Sequence, residues 1–308
     1  MGLLCVSIDL DEVHCYHGIH GLEAPAGPVA EAIHRSALPR ALRFLDDVGV
    51  AGTLFAVGRD AALRPATGEL LRAAAGRGHE IANHSLNHRY DLGLLSADEQ
   101  AREIRGGADA IQQIVGVRPA GFRAPGYNVH LGLLDVVADQ GATYDSSVFP
   151  CPSYFAARAL AIGLKQARGR VSASQLGDPR VLLAPQQPYR LGRDGVWSRG
   201  EGLVELPISV VGPARLPFIG TTLVLAGKVL AGILARQASS MGFVNLELHG
   251  IDFADAEADG LEHLKRFQPD LRLSARRKIA ILERVVKTLL DRGMQPVTLL
   301  EAAGRAIV

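Results

Sequence analysis

The chain has 308 residues, with 33 Lys and Arg against 32 Asp and Glu, ten His, three Cys and one Trp. Balanced charge with no Lys/Arg run excludes the electrostatic footprint of a nucleic-acid binder, and 48% apolar with 21% charged residues excludes a disordered chain. An odd Cys count without metal-knuckle spacing supports neither a disulfide framework nor a thiolate zinc site, so a reducing compartment is expected.

The opening residues, Met1 to Ile8, have no basic region before them and are too short for a signal segment. Gly2 lacks the Ser or Thr that a myristoylation motif requires. Cytoplasmic is therefore the default expectation. Leu3–Ile8 is a short apolar run ended by Asp9, the pattern of a buried parallel strand. A helical pattern over Val29–Val48 leads to Gly49 and a strand over Gly52–Val57. Helical Glu69–Arg77 ends at Gly78, a residue suited to a left-handed C′ position, before a strand over His79–Ala82. Ser96-Ala97-Asp98-Glu99 is a capping box that opens a helix to about Val115. Strand Ala120–Phe122, helix His130–Gln140 and strand Ala142–Asp145 follow. Later strands are expected at Leu203–Ile208, Phe243–Leu248 and Pro296–Leu299, with a long helix over Ser274–Asp291. Such βα alternation predicts an α/β fold with a parallel sheet and outer helices. A (β/α)7-8 barrel, with room for distortion, fits better than an open sheet.

Two stretches break this rhythm. The span from Pro150 to about 202 is rich in Pro, Gly, Arg and Gln and too long for a scaffold connection. It is expected as a cap or substrate-loop insertion in a single domain spanning 1–308. Pro217–Leu234 is the most hydrophobic segment, yet shorter than a bilayer span and interrupted by Lys228. It reads as a barrel helix against the sheet or as an interfacial helix meeting membrane or lipid.

Titratable residues gather where the predicted strands end. Asp9 and Asp11 follow the first, His84 and His88 the third, Arg123 and Tyr127 the fourth, Asp145 closes the fifth, and His249 follows Phe243–Leu248. In a barrel these ends converge on one face, where such folds place their chemistry. His84 and His88, four apart, share one side if they lie on a helical turn. With a carboxylate they form a set that leaves a metal one open position, although two polar loop histidines are the plain alternative. Asp9 and Asp11 share a direction if the extended geometry persists, and two neighbouring carboxylates require a cation nearby. His249 reads either as a core histidine needing a partner, with Asp145 and Asp252 as candidates, or as a functional one. Cys15 and Cys151 lie near the same face without a base at a telling spacing, so no thiol nucleophile is expected.

In this order the motifs resemble the polysaccharide deacetylase family, the NodB-homology domain of carbohydrate esterase family 4. Asp9-Leu10-Asp11 resembles its Asp-x-Asp variant, His84-Ser85-Leu86-Asn87-His88 its His-Ser-x-x-His motif, Arg123-Ala124-Pro125 its Arg-x-Pro motif, and Leu248-His249 its closing Leu-His. The usual Asp-Trp signature is replaced by Tyr144-Asp145-Ser146-Ser147. The resemblance implies that Asp11, His84 and His88 bind a divalent metal, Zn²⁺ first, with Co²⁺, Ni²⁺ and Mn²⁺ as alternatives. It further implies that Asp9 is the general base, held by Arg123, and that His249 protonates the leaving amine. Tyr127, through its backbone N–H, and Asp145 are expected on the substrate and oxyanion side.

The implied activity is metal-dependent hydrolysis of a carbon–nitrogen amide bond, deacetylating or deformylating an N-acylated amino sugar. A lipid- or nucleotide-linked sugar suits the expected location, with peripheral contact at the inner membrane face through 217–234. Lipid-linked formamido-sugar deformylases are similar in their Asp-x-Asp start. Two alternatives stand beside this reading: a ring-opening amidohydrolase of a small cyclic amide or ureide on the same fold, and a catalytically inactive carbohydrate-binding module. No nucleic-acid partner is expected, and the sequence does not define an oligomeric state.

Overall fold

In the computed structural model, which describes residues 1–167, 173 and 175–305, the chain runs β1 (Leu3–Asp9), α1 (Val13–His20), α2 (Leu38–Val48), β2 (Thr53–Ala56), α3 (Gly58–Ala62), α4 (Pro65–Gly76), β3 (Glu80–Asn83), α5 (Ala97–Val115), β4 (Gly121–Phe122), α6 (Leu131–Asp139), β5 (Tyr144–Asp145) and α7 (Pro152–Ala167). It continues through β6 (Tyr189–Leu191), β7 (Arg199–Glu205), β8 (Val210–Val211), β9 (Leu216–Pro217), α8 (Gly220–Ala238), β10 (Phe243–His249), α9 (Ala275–Asp291), β11 (Gln295–Pro296) and α10 (Leu299–Arg305). Among the described residues the main sheet has nine strands in the order β10-β1-β2-β3-β4-β5-β7-β6, with β11 on β1. All its pairings are parallel except the antiparallel β6–β7 edge. This is the expected α/β architecture, curled as a half-barrel.

Closure between β7 and β10 uses irregular chain rather than a ladder. Leu206 donates to Asp145 O (2.9 Å), Ile208 to Val148 O (2.9 Å) and Ser209 to Asn245 O (3.2 Å). Only the first part of the expected strand Leu203–Ile208, up to Glu205, is therefore strand, because Pro207 has no N–H to give to a ladder. The helices bury the stripes that their periodicity dictates. In α2, Leu38, Ala41, Leu42, Phe44, Leu45 and Val48 are buried. In α9, Ile281, Leu282, Val285, Val286 and Leu289 are buried. Each large side chain so removed from water contributes about 1.5–3 kcal/mol against the entropy of ordering the chain.

Several expectations are corrected. The helical run before Gly49 starts as a 3-10 turn over Gly27–Glu31 and a π turn over Ile33–Ala37 before becoming regular at Leu38. The strand expected at Pro296–Leu299 is only Gln295–Pro296, and Leu299 already opens α10. Residues 13–20 form α1, with Glu12 at its N-cap accepting from Val13 N–H. The 150–202 span contains α7, which supplies Tyr154 and Arg158 to the wall of the strand-end cleft; residues 168–172 and 174 of that span lie outside the described residues. Pro217–Leu234 becomes the end of β9 and most of α8, which packs Leu223, Val224, Ala231 and Ala235 inward and breaks helical geometry at Gly227 (φ 73°).

Candidate active site

Every strand-end residue singled out above is buried or nearly so, and most meet in one cleft. Asp9 is the last residue of β1, in register with His249 at the end of β10. Asp11, His84 and His88 bring ligand-type atoms within 4.8 Å of one another, and all three are buried. Their approach does not use a helical turn. Residues 84–88 form an irregular loop in which Ser85 (φ 65°) and His88 (φ 52°) are left-handed. The Ser85 hydroxyl accepts from His88 N–H at 3.0 Å. That turn sets the two imidazole centroids 4.8 Å apart.

The donor set fits a cation. His84 Nδ1 lies 2.7 Å from the Arg123 carbonyl, which only accepts, so Nδ1 carries a proton and, whenever the ring is neutral as a metal ligand must be, Nε2 presents the lone pair. His84 Nε2 faces Asp11 Oδ1 at 3.3 Å, and His88 Nε2 lies 3.1 Å from the same oxygen. Asp11 Oδ1 and both nitrogens of His88 are buried without a hydrogen-bond partner. Buried acceptors turned toward one another are costly unless a positive charge sits among them. Ligand atoms held about 2.0–2.1 Å from a tetrahedral zinc lie about 3.3 Å apart, the spacing seen here. Asp11, His84 and His88 could therefore hold a divalent ion, with His84 oriented through its second nitrogen.

Asp9 has a different environment. Arg123 Nη1 donates to Asp9 Oδ1 at 2.6 Å, and both side chains are buried. The guanidinium is fixed from the other side by the Ser146 carbonyl (2.8 Å), Ser7 Oγ (3.0 Å) and Ser146 Oγ (2.9 Å), and it stacks on Phe55. Asp9 Oδ2 is left toward His84 Nε2, 3.8 Å away. Burial pushes the Asp9 carboxyl up, with Arg123 and His84 pulling against it. For Asp11 the net direction reverses: burial is again the largest single effect and acts upward, but His88 and His84 together bring it well below the usual carboxylate range.

His249 is paired with a residue that the sequence reasoning missed. Glu247 Oε1 stands 2.9 Å from His249 Nδ1 and accepts from the Tyr127 hydroxyl at 2.8 Å. Tyr127 Oη is also 3.2 Å from His249 Nε2. Burial acts to lower the His249 pKa, but Glu247, Asp9 and Asp11 hold it well above the usual histidine value. Alternation was the available signal: Asn245, Glu247 and His249 are polar among the apolar Val244, Leu246 and Leu248, so they share one face of the strand.

Neither expected partner of the His249 ring holds that place. Asp145 is buried beneath the cleft floor, where it accepts from Ser147 N–H (2.9 Å) and Ser147 Oγ (2.8 Å) and faces Glu205 across the ladder. Burial raises its pKa. It supports the 146–147 turn under Arg123 and does not line the cleft. Asp252 accepts from the backbone N–H of His249 (2.9 Å) rather than from the ring. Tyr127 also departs from expectation: its backbone N–H is engaged with the Ala124 carbonyl (3.0 Å), while its side chain reaches into the cleft. Consecutive left-handed residues, Gly126 (φ 64°) and Tyr127 (φ 60°), turn it inward. The three cysteines are free and buried.

The cleft above these groups has a volume of about 310 Å³. Its walls come from α1 (Tyr16, Ile19), α7 (Tyr154, Arg158), the start of α8 (Thr221, Thr222) and Gln268.

Residues 26–144 match the sequence model of the polysaccharide deacetylase family. The matched segment contains His84, His88, Arg123 and Tyr127, and it leaves Asp9, Asp11 and His249 outside. Among solved structures, the chain is similar to a putative polysaccharide deacetylase from Mycobacterium smegmatis, at 20% identity and TM-score 0.63, covering 99% of this chain and 91% of that one. It is also similar to the Puue allantoinase, at 16% identity and TM-score 0.58, covering 99% and 89%. A family 4 carbohydrate esterase from Streptomyces lividans in complex with acetate aligns at 16% identity and TM-score 0.49, covering 96% and 91%. Over residues 26–144 the chain is thus similar to the polysaccharide deacetylase family, and it shares its fold with these solved structures.

Proposed function

We propose that the chain is a divalent-metal-dependent N-deacylase of an amino sugar, with Asp11, His84 and His88 holding the ion. One observation carries this reading: His84 Nε2 and His88 Nε2 converge on a single buried oxygen of Asp11, and neither that oxygen nor either nitrogen of His88 has a hydrogen-bond partner. A bound divalent ion, Zn²⁺ first among Co²⁺, Ni²⁺ and Mn²⁺, supplies Lewis acidity toward the acyl oxygen and lowers the pKa of water at the site. The chain's own residues do the rest. Asp9 takes a proton from the attacking water through Oδ2, since Oδ1 is committed to Arg123. Arg123 holds that carboxylate in place and keeps its charge compensated inside the protein. His249, on the neighbouring strand, gives a proton to the departing nitrogen, without which an amine is a poor leaving group.

The test is elemental analysis of purified protein beside His84→Ala/His88→Ala, with turnover measured on N-acetylated glucosamine oligosaccharides and N-acyl monosaccharides. About one equivalent of metal in the parent and none in the double variant is expected, with turnover lost in parallel. Equal metal in both proteins overturns the ligand assignment.

The substrate's form is the finer part of the proposal. Alongside polar Thr221 and Thr222, the cleft wall carries apolar Ile19, Ile219 and Ile251. From the same wall α8 leads away with Leu225, Val229, Leu230 and Ile233 exposed. Among the described residues no helix is long and apolar enough to cross a membrane, whereas an exposed apolar stripe suits contact with a lipid surface. We therefore place a lipid-linked amino sugar first among substrates, processed at a membrane face. Flotation with anionic vesicles should carry the protein upward, and Val229→Glu/Leu230→Glu should release it; a protein that stays in the soluble fraction removes the membrane contact. The likeness to an allantoinase is one of fold and adds no weight to a cyclic ureide substrate.

A further inference from the structure

Glu247 is a carboxylate inside a central strand, fully buried. Such a group is unstable there without a partner. Its neighbours across the sheet are Ser7 on β1 and Ile219 just before α8, and neither brings a cationic side chain. The side chain that Glu247 meets directly with opposite charge is the imidazole of His249, 2.9 Å away, with the Tyr127 hydroxyl on the same carboxylate oxygen.

We propose that Glu247 is the positioning residue of His249: its carboxylate holds the Nδ1 side of the ring, so that Nε2 is presented to the cleft with the proton destined for the leaving nitrogen. This rests on His249 being the acid of the deacylation. In the step concerned the carbon–nitrogen bond breaks, its electron pair stays on nitrogen, and the Nε2 proton moves to that nitrogen. The Nδ1 proton remains on the ring, which ends neutral, and Glu247 stays an anion throughout. Tyr127 closes the arrangement, because its oxygen is within reach of Nε2 (3.2 Å) while its hydroxyl donates to Glu247. The incoming nitrogen takes the Tyr127 place at Nε2.

The groups around the ring come from every side. Asp9 and Asp11 stand at the end of β1, Tyr127 on the 125–127 turn, Tyr154 on α7, and Asp252 on the turn after β10. Arg123 acts on Glu247 from β4's end. Of these, Asp252 touches the His249 backbone, and the two aspartates act on the ring through space, so the Nδ1 side belongs to Glu247. Burial would raise the Glu247 pKa, but His249, Arg123 and Tyr127 bring it below its usual value, so the anion is the resting form.

The experiment compares Glu247→Gln, Glu247→Asp and Tyr127→Phe with the parent metal-loaded protein. In Glu247→Gln, kcat on an N-acetyl amino sugar should fall ~10-fold or more with KM nearly unchanged. The basic limb of the rate profile, and the His249 ring titration read by ¹⁵N NMR, should move down by about one pH unit or more. Glu247→Asp should recover part of both. Hydrolysis of 4-nitrophenyl acetate, whose leaving group needs no proton, should be nearly unaffected. If the His249 titration and the basic limb of Glu247→Gln match the parent, the proposal is overturned. It is also overturned if Tyr127→Phe reproduces every effect, because Glu247 would then act only as an anchor for Tyr127. His249→Ala separates the two levels: parent-like amide turnover there removes the acid reading itself, whatever the NMR titration of Glu247→Gln shows.

Discussion

At the scale of single residues, the two aspartates of the first strand end show how position divides chemistry between like side chains. Asp9 faces one guanidinium and is pushed upward by burial, the direction that makes a carboxylate a better base. Asp11 sits between two imidazoles and is drawn far down, the direction that suits the anionic ligand proposed for it. Environments that drive paired acids apart mark different roles for each. Asp9→Asn should therefore retain the parent's metal content while losing nearly all turnover, measured by elemental analysis and steady-state kinetics on one preparation. Loss of metal in that variant would instead make Asp9 a ligand. His249→Ala should lower the rate on an amide by ~10²–10⁴ without changing metal content.

At the scale of elements, what the sequence revealed depended on whether the signal was local. The capping box at Ser96 and Glu99 is present as read, because both halves lie within one turn. The buried strand at Leu3 and the stripe of α2 follow directly from periodicity. The His84–His88 loop was legible as a pair of ligand-type residues, but not in its shape: nothing local announces that Ser85 and His88 adopt positive φ. That shape comes from α5, which holds the loop from behind. Leu86 N–H bonds to the Glu103 carbonyl (3.0 Å), and Glu103 carboxylate oxygens accept from Asn87 N–H (3.0 Å) and Asn87 Nδ2 (2.7 Å). Contact this close requires Gly107, where a Cβ would meet Asn83 Oδ1 at 2.3 Å and the Ser85 carbonyl carbon at 2.7 Å. Gly107→Ala should destabilise the protein by about 1–3 kcal/mol and weaken metal retention, although residue 107 is no ligand. Thermal denaturation with parallel metal analysis checks this, and an unchanged metal content would show that α5 can shift without moving the loop. Glu247 went unread for a related reason, since its meaning lies in the Tyr127 contact from a distant turn.

For the whole molecule, the question is what holds a sheet that does not close by a ladder. Part of the answer is a buried polar cluster at its centre, beneath Arg123. Asn245 Oδ1 accepts from Ser7 Oγ (2.8 Å), while its Nδ2 donates to Ser146 Oγ (3.0 Å) and to the Leu206 carbonyl (3.4 Å). Ser146 Oγ in turn donates to the Leu206 carbonyl (2.8 Å), and Ser7 and Ser146 both accept from Arg123. One asparagine thus ties β1, β10, the turn after β5 and the irregular 206–209 closure to the side chain that holds Asp9. Removing it leaves several buried groups unpaired at once, each worth about 1–3 kcal/mol. Asn245→Ala should therefore lower the unfolding free energy by at least about 2 kcal/mol. Because Arg123 loses the partners that fix its Ser7 and Ser146 contacts, kcat should fall while metal at the proposed Asp11, His84 and His88 site, none of which touches Asn245 in the hydrogen-bond cluster, is retained. Denaturant unfolding, kinetics and metal analysis on the same variant separate these effects. A variant that unfolds earlier yet turns over normally would mean that Asp9 and Phe55 alone position Arg123, and that the cluster serves closure without serving the site.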